Sequence, residues 1–133
     1  MGVSYLLDTH VVLWIVGGRR EGAEATRVAL DDPSASFFVS SASALEVATK
    51  VRLGKLEEAR FLIGDWPGLI DRLGARSLPI EDRHAVAAGL LDWPHRDPFD
   101  RLLVAQAWVE GLTLVTADRA LIGAPGVSVL AWA

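Results

Sequence analysis

Four acidic residues lie at positions that could bring their carboxylates together around a metal ion. Asp8 follows the apolar run VSYLL, and Asp118 follows the apolar run LTLVT with one residue between. Glu46 and Asp100 each lie in the first turn of a predicted helix. In a parallel sheet the carboxyl ends of the strands and the starts of the following helices share one edge, so the four carboxylates would converge there. Carboxylate oxygens suit Mg²⁺, and a bound divalent ion can activate water for attack on a phosphodiester.

Two of these acids also fit ordinary helix caps. Asp97 is placed to cap a helix that starts at the DPFD segment, and Asp100, three residues later, could complete a capping box. Ser43 and Glu46 have the same spacing. Glu46 could also pair with Lys50, four residues along the helix. Both the metal-binding and the structural interpretations remain open for Glu46 and Asp100.

The acids that follow the strands differ in how easily a structural role explains them. Asp118 could cap a short helical turn over residues 119–121. Asp8 is harder to explain, because an acid between an apolar strand and further apolar residues costs free energy unless it has a partner. The convergence of all four acids is therefore the main argument for a site.

The elements that would position these acids alternate between strands and helices. The predicted strands are residues 3–7, 36–40, 75–80, 112–116 and 127–130. The predicted helices are residues 9–16, 21–30, 44–53, 56–63, 67–73, 81–91 and 99–110. Apolar residues cover most of the last helix, which predicts packing on both of its sides, and Gly111 suits its end. The alternation predicts an α/β fold with a parallel sheet.

Length and composition restrict the possible classes of protein. The 133 residues, 51% of them hydrophobic, suit one domain over residues 1–133. The absence of cysteine excludes disulfides and cysteine chemistry and fits a cytoplasmic protein. The apolar run over residues 3–16 is too short to span a membrane and is interrupted by Asp8 and His10. The net charge of −4 counts against general nucleic-acid binding but not against a metal-dependent nuclease.

Other kinds of active site have little support. His10, His84 and His95 share no metal-ligand spacing, and a packed histidine is the expectation for His10. The serines near residue 40 lack a GxSxG elbow, so a serine nucleophile is not predicted. The sequence also lacks a P-loop and a dinucleotide-binding GxGxxG motif.

Four segments, in order along the chain, resemble PIN-domain ribonucleases, specifically the VapC-type toxins of bacterial toxin–antitoxin pairs. They are LLDTHVVLW at residues 6–14, VSSASALEVATKVRLGKL at 39–56, HRDPFDRLLVAQA at 95–107 and LVTAD at 114–118. The resemblance implies a single PIN-like domain with a small parallel sheet of four to five strands flanked by helices. It also implies an endoribonuclease that depends on Mg²⁺ or Mn²⁺ and leaves a 5′-phosphate and a 3′-hydroxyl.

The resemblance extends to individual residues. The family's acidic quartet, which holds the metal, matches Asp8, Glu46, Asp100 and Asp118. Thr116 matches a small polar residue that often faces the metal site. Asp97 suits a cap and would assist the site without being one of the four ligands.

The same resemblance implies partners: a structured RNA substrate such as tRNA or rRNA, a cognate VapB-type antitoxin and a second copy of the chain in a homodimer. No membrane partner is implied. Because the net charge is negative, RNA would be held by local cations, for which the candidates are Lys50, Arg52, Lys55, Arg96, Arg101 and Arg119. Solvated surface charge is the equally favoured alternative for most of them.

Three other functions fit less well. A haloacid-dehalogenase-like phosphatase needs a second aspartate two residues after Asp8, where this chain has His10. A phospho-accepting receiver domain needs a lysine after its last strand, and no lysine follows Lys55. A binding module without activity would not need the intact quartet, and metal-dependent RNA cleavage would exclude it.

Overall fold

The computed structural model describes residues 2–18 and 24–132. Its five strands form one parallel sheet in the order β3-β2-β1-β4-β5. The strands are β1 (Ser4–Leu7), β2 (Ser36–Ser40), β3 (Ala75–Leu78), β4 (Thr113–Thr116) and β5 (Val129–Ala131). The predicted α/β fold with a parallel sheet is confirmed, and each strand differs from its predicted range by no more than two residues at either end.

Eight α-helices and one 3₁₀ turn (Glu57–Ala59) are present in the described residues. The helices are α1 (Thr9–Val16), α2 (Glu24–Asp31), α3 (Ser41–Arg52), α4 (Arg60–Ile63), α5 (Trp66–Arg72), α6 (Asp82–Leu90), α7 (Pro98–Glu110) and α8 (Arg119–Ile122). The predicted helix at residues 21–30 is present as α2, although residues 21–23 lie outside the described ranges. None of these helices has the length and hydropathy that a membrane span requires.

The strand order places a topological switch at β1. From β1 the chain builds β2 and β3 on one side, and it later adds β4 and β5 on the other. Leu6 pairs with Phe38 of β2 and with Leu114 of β4, so β1 lies in the middle of the sheet. Ligands of open parallel sheets bind outside the carboxyl ends of the strands at such a switch. Asp8 immediately follows β1 at this point.

The sheet has a hydrophobic core on each face. Tyr5 and Leu7 belong to the core formed with α1, α3, α4 and α5, whereas Leu6 belongs to the core formed with α7 and α8. This alternation follows from the two-residue period of a strand. The prediction that α7 is packed on both sides is confirmed by the five consecutive buried residues 103–107, although Trp108 is 57% exposed. Leu103 and Val104 belong to the core on the sheet, whereas Gln106 donates to the Pro79 carbonyl and lies beside His84 of α6.

Candidate metal centre

Asp8 has the most buried carboxylate of the predicted quartet. Its side chain does not cap α1, although the residue is in the N-cap position, and Asp8 is only 5% exposed. The hydroxyl of buried Thr116 donates a hydrogen bond of 2.7 Å to Asp8 Oδ2. Burial raises the pKa of the Asp8 carboxyl, and the hydrogen bonds from Thr116 and from the Thr9 backbone, with nearby His10, oppose that shift only in part. A buried carboxylate that the helix cap does not use is available for a cation.

Glu46 is buried on α3 and faces Asp8 closely enough to raise the pKa of that carboxyl. The predicted capping box with Ser43 does not form, because α3 begins at Ser41 and the Ser40 hydroxyl accepts the cap bond from the Ala42 amide. Ser43 instead shares a hydrogen bond of 2.8 Å with Thr9. The predicted pairing with Lys50 is confirmed, with Lys50 Nζ 3.0 Å from Glu46 Oε2.

Asp100 lies in the first turn of α7 and has a half-buried side chain, 16% exposed. Asp97 caps this helix as predicted: its Oδ1 accepts the Phe99 amide at 2.9 Å and the Asp100 amide at 3.5 Å. The carboxylate of Asp100 instead contacts His95. Burial raises the pKa of the Asp100 carboxyl, and the negative charges of Asp97 and Asp8 add to that shift while His95 opposes it.

Asp118 lies at the same edge of the sheet but is exposed. Its Oδ1 accepts a hydrogen bond of 2.9 Å from the Ala120 amide, so the predicted cap of the short α8 is confirmed. Its own amide donates to the Thr116 hydroxyl oxygen at 3.0 Å. Thr116 therefore connects Asp118 to Asp8, and it lies between two of the predicted ligands.

The four acids share one region without forming a compact ligand set. Asp8 interacts electrostatically with Glu46 and with Asp100, whereas Asp118 is linked to it through Thr116. Within residues 2–18 and 24–132, no three of these acids place carboxylate oxygens within 4.8 Å of one another. The geometry thus supports Asp8, Glu46 and Asp100 as neighbours and gives Asp118 the weakest connection.

Comparison with known proteins identifies the family. Residues 5–126 match the PIN domain. The chain belongs to the PIN domain family. PIN domains are nucleases that use divalent metal ions. No protein with a curated description matches the sequence significantly.

Several solved structures share the fold of this PIN domain. The DNA-bound VapBC complex of Salmonella typhimurium contains a chain with 19% identity and a TM-score of 0.71, and the match covers 98% of this chain and 99% of that one. A chain of VapBC2 of Rickettsia felis, bound to a promoter DNA fragment, has 16% identity and a TM-score of 0.71, and the match covers 98% of this chain and 100% of that one. A chain of VapBC-1 of nontypeable Haemophilus influenzae has 17% identity and a TM-score of 0.63, and the match covers 98% of each chain. At these identities the likeness establishes the fold alone.

The residues of this PIN domain fit a hard divalent cation. Asp8 and Asp100 supply oxygen donors, and burial together with mutual repulsion disfavours their charged forms when no cation is bound. Mg²⁺ and Mn²⁺ both accept carboxylate ligands, and a cation would offset this cost. Asp8, Glu46 and Asp100, with Asp118 at the edge, are the residues that would hold it.

A second group of residues has ligand atoms close enough for a metal ion, but its hydrogen bonds argue against one. Atoms of Glu81, His84 and Glu110 lie within 4.8 Å of one another. His84 Nδ1 accepts the Glu81 amide at 3.0 Å, so Nε2 carries the proton that is donated to Glu110 at 3.1 Å. Arg83 bonds to both carboxylates. Glu110 lies ten residues from Asp100, about 15 Å along α7, so this network joins α6 to α7 away from the predicted site.

The predicted RNA contact at Arg101 is wrong, because its guanidinium is already bonded to the backbone. Its guanidinium donates to five backbone carbonyls of the segment that precedes α7, those of Ala88, Gly89, Leu91, Trp93 and His95. All five N–H groups of an arginine are engaged by such a set, so none is left for a phosphate. Arg101 is a structural clamp rather than an RNA ligand.

The other predicted cations differ in how free they are. Lys50 is paired with Glu46. The remaining candidates are exposed: Arg52, Lys55, Arg96 and Arg119. They stay predictions as RNA contacts.

The three histidines have roles that their spacing in the sequence does not indicate. His84 is fully buried, and His10, expected to be packed, is exposed. His95 contacts Asp100, with its Nε2 2.6 Å from Oδ2. The signal that could have found it is its place five residues before Asp100, within reach across the turn that starts α7.

Proposed function

We propose that this PIN domain is a VapC-type endoribonuclease toxin that depends on Mg²⁺ or Mn²⁺ and cleaves structured cellular RNA such as tRNA or rRNA. The observation that supports it most is the electrostatically coupled pair Asp8 and Asp100 at the switch point of the sheet, both with raised carboxyl pKa. The VapBC complexes with the same fold support the assignment to toxins.

Each residue has a defined part in the proposed reaction. Asp8, Glu46, Asp100 and Asp118 hold the cation, and the Thr116 hydroxyl fixes the orientation of the Asp8 carboxylate. When bound, the cation supplies an activated water and neutralises charge that develops on the phosphate. Asp97 contributes by capping α7, which carries Asp100. Lys50 holds Glu46 through one of its two oxygens.

We further propose that a cognate VapB-type antitoxin neutralises the enzyme and that the chain forms a homodimer. An acidic site attracts a basic segment, and an arginine of that segment could bind two carboxylate oxygens at once. An equimolar amount of antitoxin is expected to stop cleavage. Sedimentation equilibrium of the protein alone is expected to give twice the 14.3 kDa of one chain.

The direct test is cleavage of RNA by the purified protein. Cleavage is expected with Mn²⁺ or Mg²⁺ and is expected to cease in excess chelator. Sequencing of RNA 5′ ends after induced expression would identify the sites, and the new ends should carry 5′-phosphates. Cleavage that persists undiminished in chelator would contradict the proposed metal dependence.

The RNA contacts are tested with exposed cations that are not paired with the site. The double variant Arg52→Glu and Lys55→Glu is expected to weaken RNA binding and to flatten its salt dependence, by roughly 0.7 in the logarithmic slope for each lost phosphate contact. Lys50 is unsuitable, because a glutamate there would lie beside Glu46. Binding would be measured by fluorescence anisotropy in an inactive background over a salt series.

Arg101→Lys is the matched control for this experiment. It keeps the charge but loses most bonds to the five carbonyls, so the free energy of unfolding should fall by about 1–2 kcal/mol while the salt slope stays the same. An unchanged slope in the double variant would remove Arg52 and Lys55 from the RNA path. A flatter slope in Arg101→Lys would restore Arg101 as a contact.

A further inference from the structure

We propose that His95 is a positioning residue that holds one oxygen of Asp100, so that the other oxygen is presented to the metal. The inference rests on the proposed function, since it assigns a partner to one of the proposed ligands. Neither the acidic quartet nor the cap at Asp97 includes this histidine.

The contact between the two side chains is short and partly shielded from solvent. His95 Nε2 lies 2.6 Å from Asp100 Oδ2, and the side chains are 26% and 16% exposed. A hydrogen-bond donor at this distance occupies Oδ2 as an acceptor and restricts rotation of the carboxylate. The orientation of Oδ1 is thereby restricted as well.

His95 is itself held in place through its side chain and through its backbone. Its ring stacks on Trp93, with centroids 4.6 Å apart and an angle of 23° between the planes. The guanidinium of Arg101 donates to the carbonyls of Trp93 at 2.7 Å and of His95 at 2.9 Å. Arg101 directly follows Asp100 in the sequence, so one turn of α7 carries both the carboxylate and the clamp for its partner. A histidine fixed in this way loses little conformational freedom when it binds Asp100.

The contact is not needed to start the helix. Asp97 already accepts the first amides of α7, and Pro98 is in the first turn. Burial and the negative charges of Asp97 and Asp8 raise the pKa of the Asp100 carboxyl, and His95 is the group that opposes them. Carboxylates that bind metals are commonly oriented by such a hydrogen bond, and losing the partner typically costs about 10- to 100-fold in metal affinity or activity.

The experiment is Mn²⁺ titration of the full chain by isothermal calorimetry, without RNA. His95→Ala is expected to raise the Mn²⁺ dissociation constant by about 10- to 100-fold. His95→Gln, which retains an N–H donor of similar reach, is expected to recover most of the affinity. His10→Ala is the matched control: it removes an exposed imidazole that acts on Asp8 through its charge alone, and its effect should be several-fold smaller. Thermal melts in chelator check that each variant folds.

Each outcome decides the proposal. If the wild type and His95→Ala bind Mn²⁺ equally, the positioning role is overturned while the proposed function stands. The positioning role is also overturned if a folded His95→Gln binds Mn²⁺ as weakly as His95→Ala does, or if His10→Ala binds it equally weakly. In either case the loss of Mn²⁺ affinity would come from the charge of a histidine and not from the hydrogen bond to Asp100. If His95→Ala does not fold, the Mn²⁺ affinities of His95→Gln and the wild type are compared instead. A near-wild-type affinity of His95→Gln then supports the proposal. A wild type that binds no Mn²⁺ at millimolar concentration overturns the proposed function and this inference together.

Discussion

Asp100→Asn is expected to abolish RNA cleavage, whereas Asp97→Asn is expected to reduce it only slightly. The first change removes a proposed ligand carboxylate on which the charge of Asp8 acts, so the loss should exceed the roughly hundredfold limit typical of residues that only support a ligand. The second change keeps the cap, because asparagine caps helices about as well as aspartate. Single-turnover cleavage rates at saturating Mn²⁺ would measure both.

A second N-cap provides the matched control. Asp65 caps α5, where its Oδ1 accepts the Gly68 amide at 3.1 Å, and it is exposed. Asp65→Asn makes the same chemical change on a helix without a predicted ligand, so its cleavage rate should equal that of the wild type. If Asp97→Asn were the more severe variant at the site, the assigned ligand and cap would be interchanged.

Local sequence was sufficient to predict the features that depend on neighbouring residues. The Asp97 cap, the pairing of Lys50 with Glu46 and the end of α7 at Gly111 all arise within a few residues. Helical spacing and cap chemistry contain the information for such features. The parallel sheet followed in the same way from the alternation of elements.

The start of α3 depended on contacts that the local pattern does not contain. Ser40 and Ser43 are both suitable caps, so the sequence allowed two starting points. The structure uses Ser40, because Ser43 is engaged by Thr9, a residue 34 positions earlier. Choosing between them required knowledge that α1 packs beside α3.

The roles of Arg101 and His95 were missed for a related reason. The partners of Arg101 are main-chain carbonyls, which every residue carries, so no residue type signals them. The contact of His95 with Asp100 depends on how the chain turns before Pro98. Sequence spacing could place both residues near the acids, but it could not show which one bonds to the loop and which one to the carboxylate.

Asp8→Asn is expected to melt at a higher temperature than the wild type when chelator is present. Burial is the main cause that raises the pKa of the Asp8 carboxyl above its ordinary 3.8, so the folded protein pays a cost to keep this group ionised. Each unit by which the pKa is raised corresponds to about 1.4 kcal/mol, and each kcal/mol to roughly 4 °C in a chain of this size. Asparagine removes the charge, and its side-chain oxygen can still accept from Thr116.

The pH dependence of this effect has a definite sign. Between 3.8 and the raised pKa of the folded state, the folded protein binds more protons than the unfolded chain. The contribution of Asp8 to the free energy of unfolding therefore falls as pH rises through this window, and the full cost remains at neutral pH. The gain in melting temperature from Asp8→Asn should accordingly be largest at neutral pH and should shrink on acidification towards 3.8.

Added metal should stabilise the wild type more than it stabilises Asp8→Asn. Mn²⁺ at a hundred times its dissociation constant is expected to stabilise the wild type by about 2.7 kcal/mol, and Asp8→Asn should gain much less because one ligand is neutral. Asp118→Asn is the contrasting variant: Asp118 is exposed and caps α8, so in chelator it should melt close to the wild type. Differential scanning fluorimetry of the three proteins, with and without Mn²⁺, gives all the comparisons. If Asp8→Asn melts lower than the wild type in chelator and both gain equally from Mn²⁺, then Asp8 is a structural residue, and the strand end where it lies does not hold the metal.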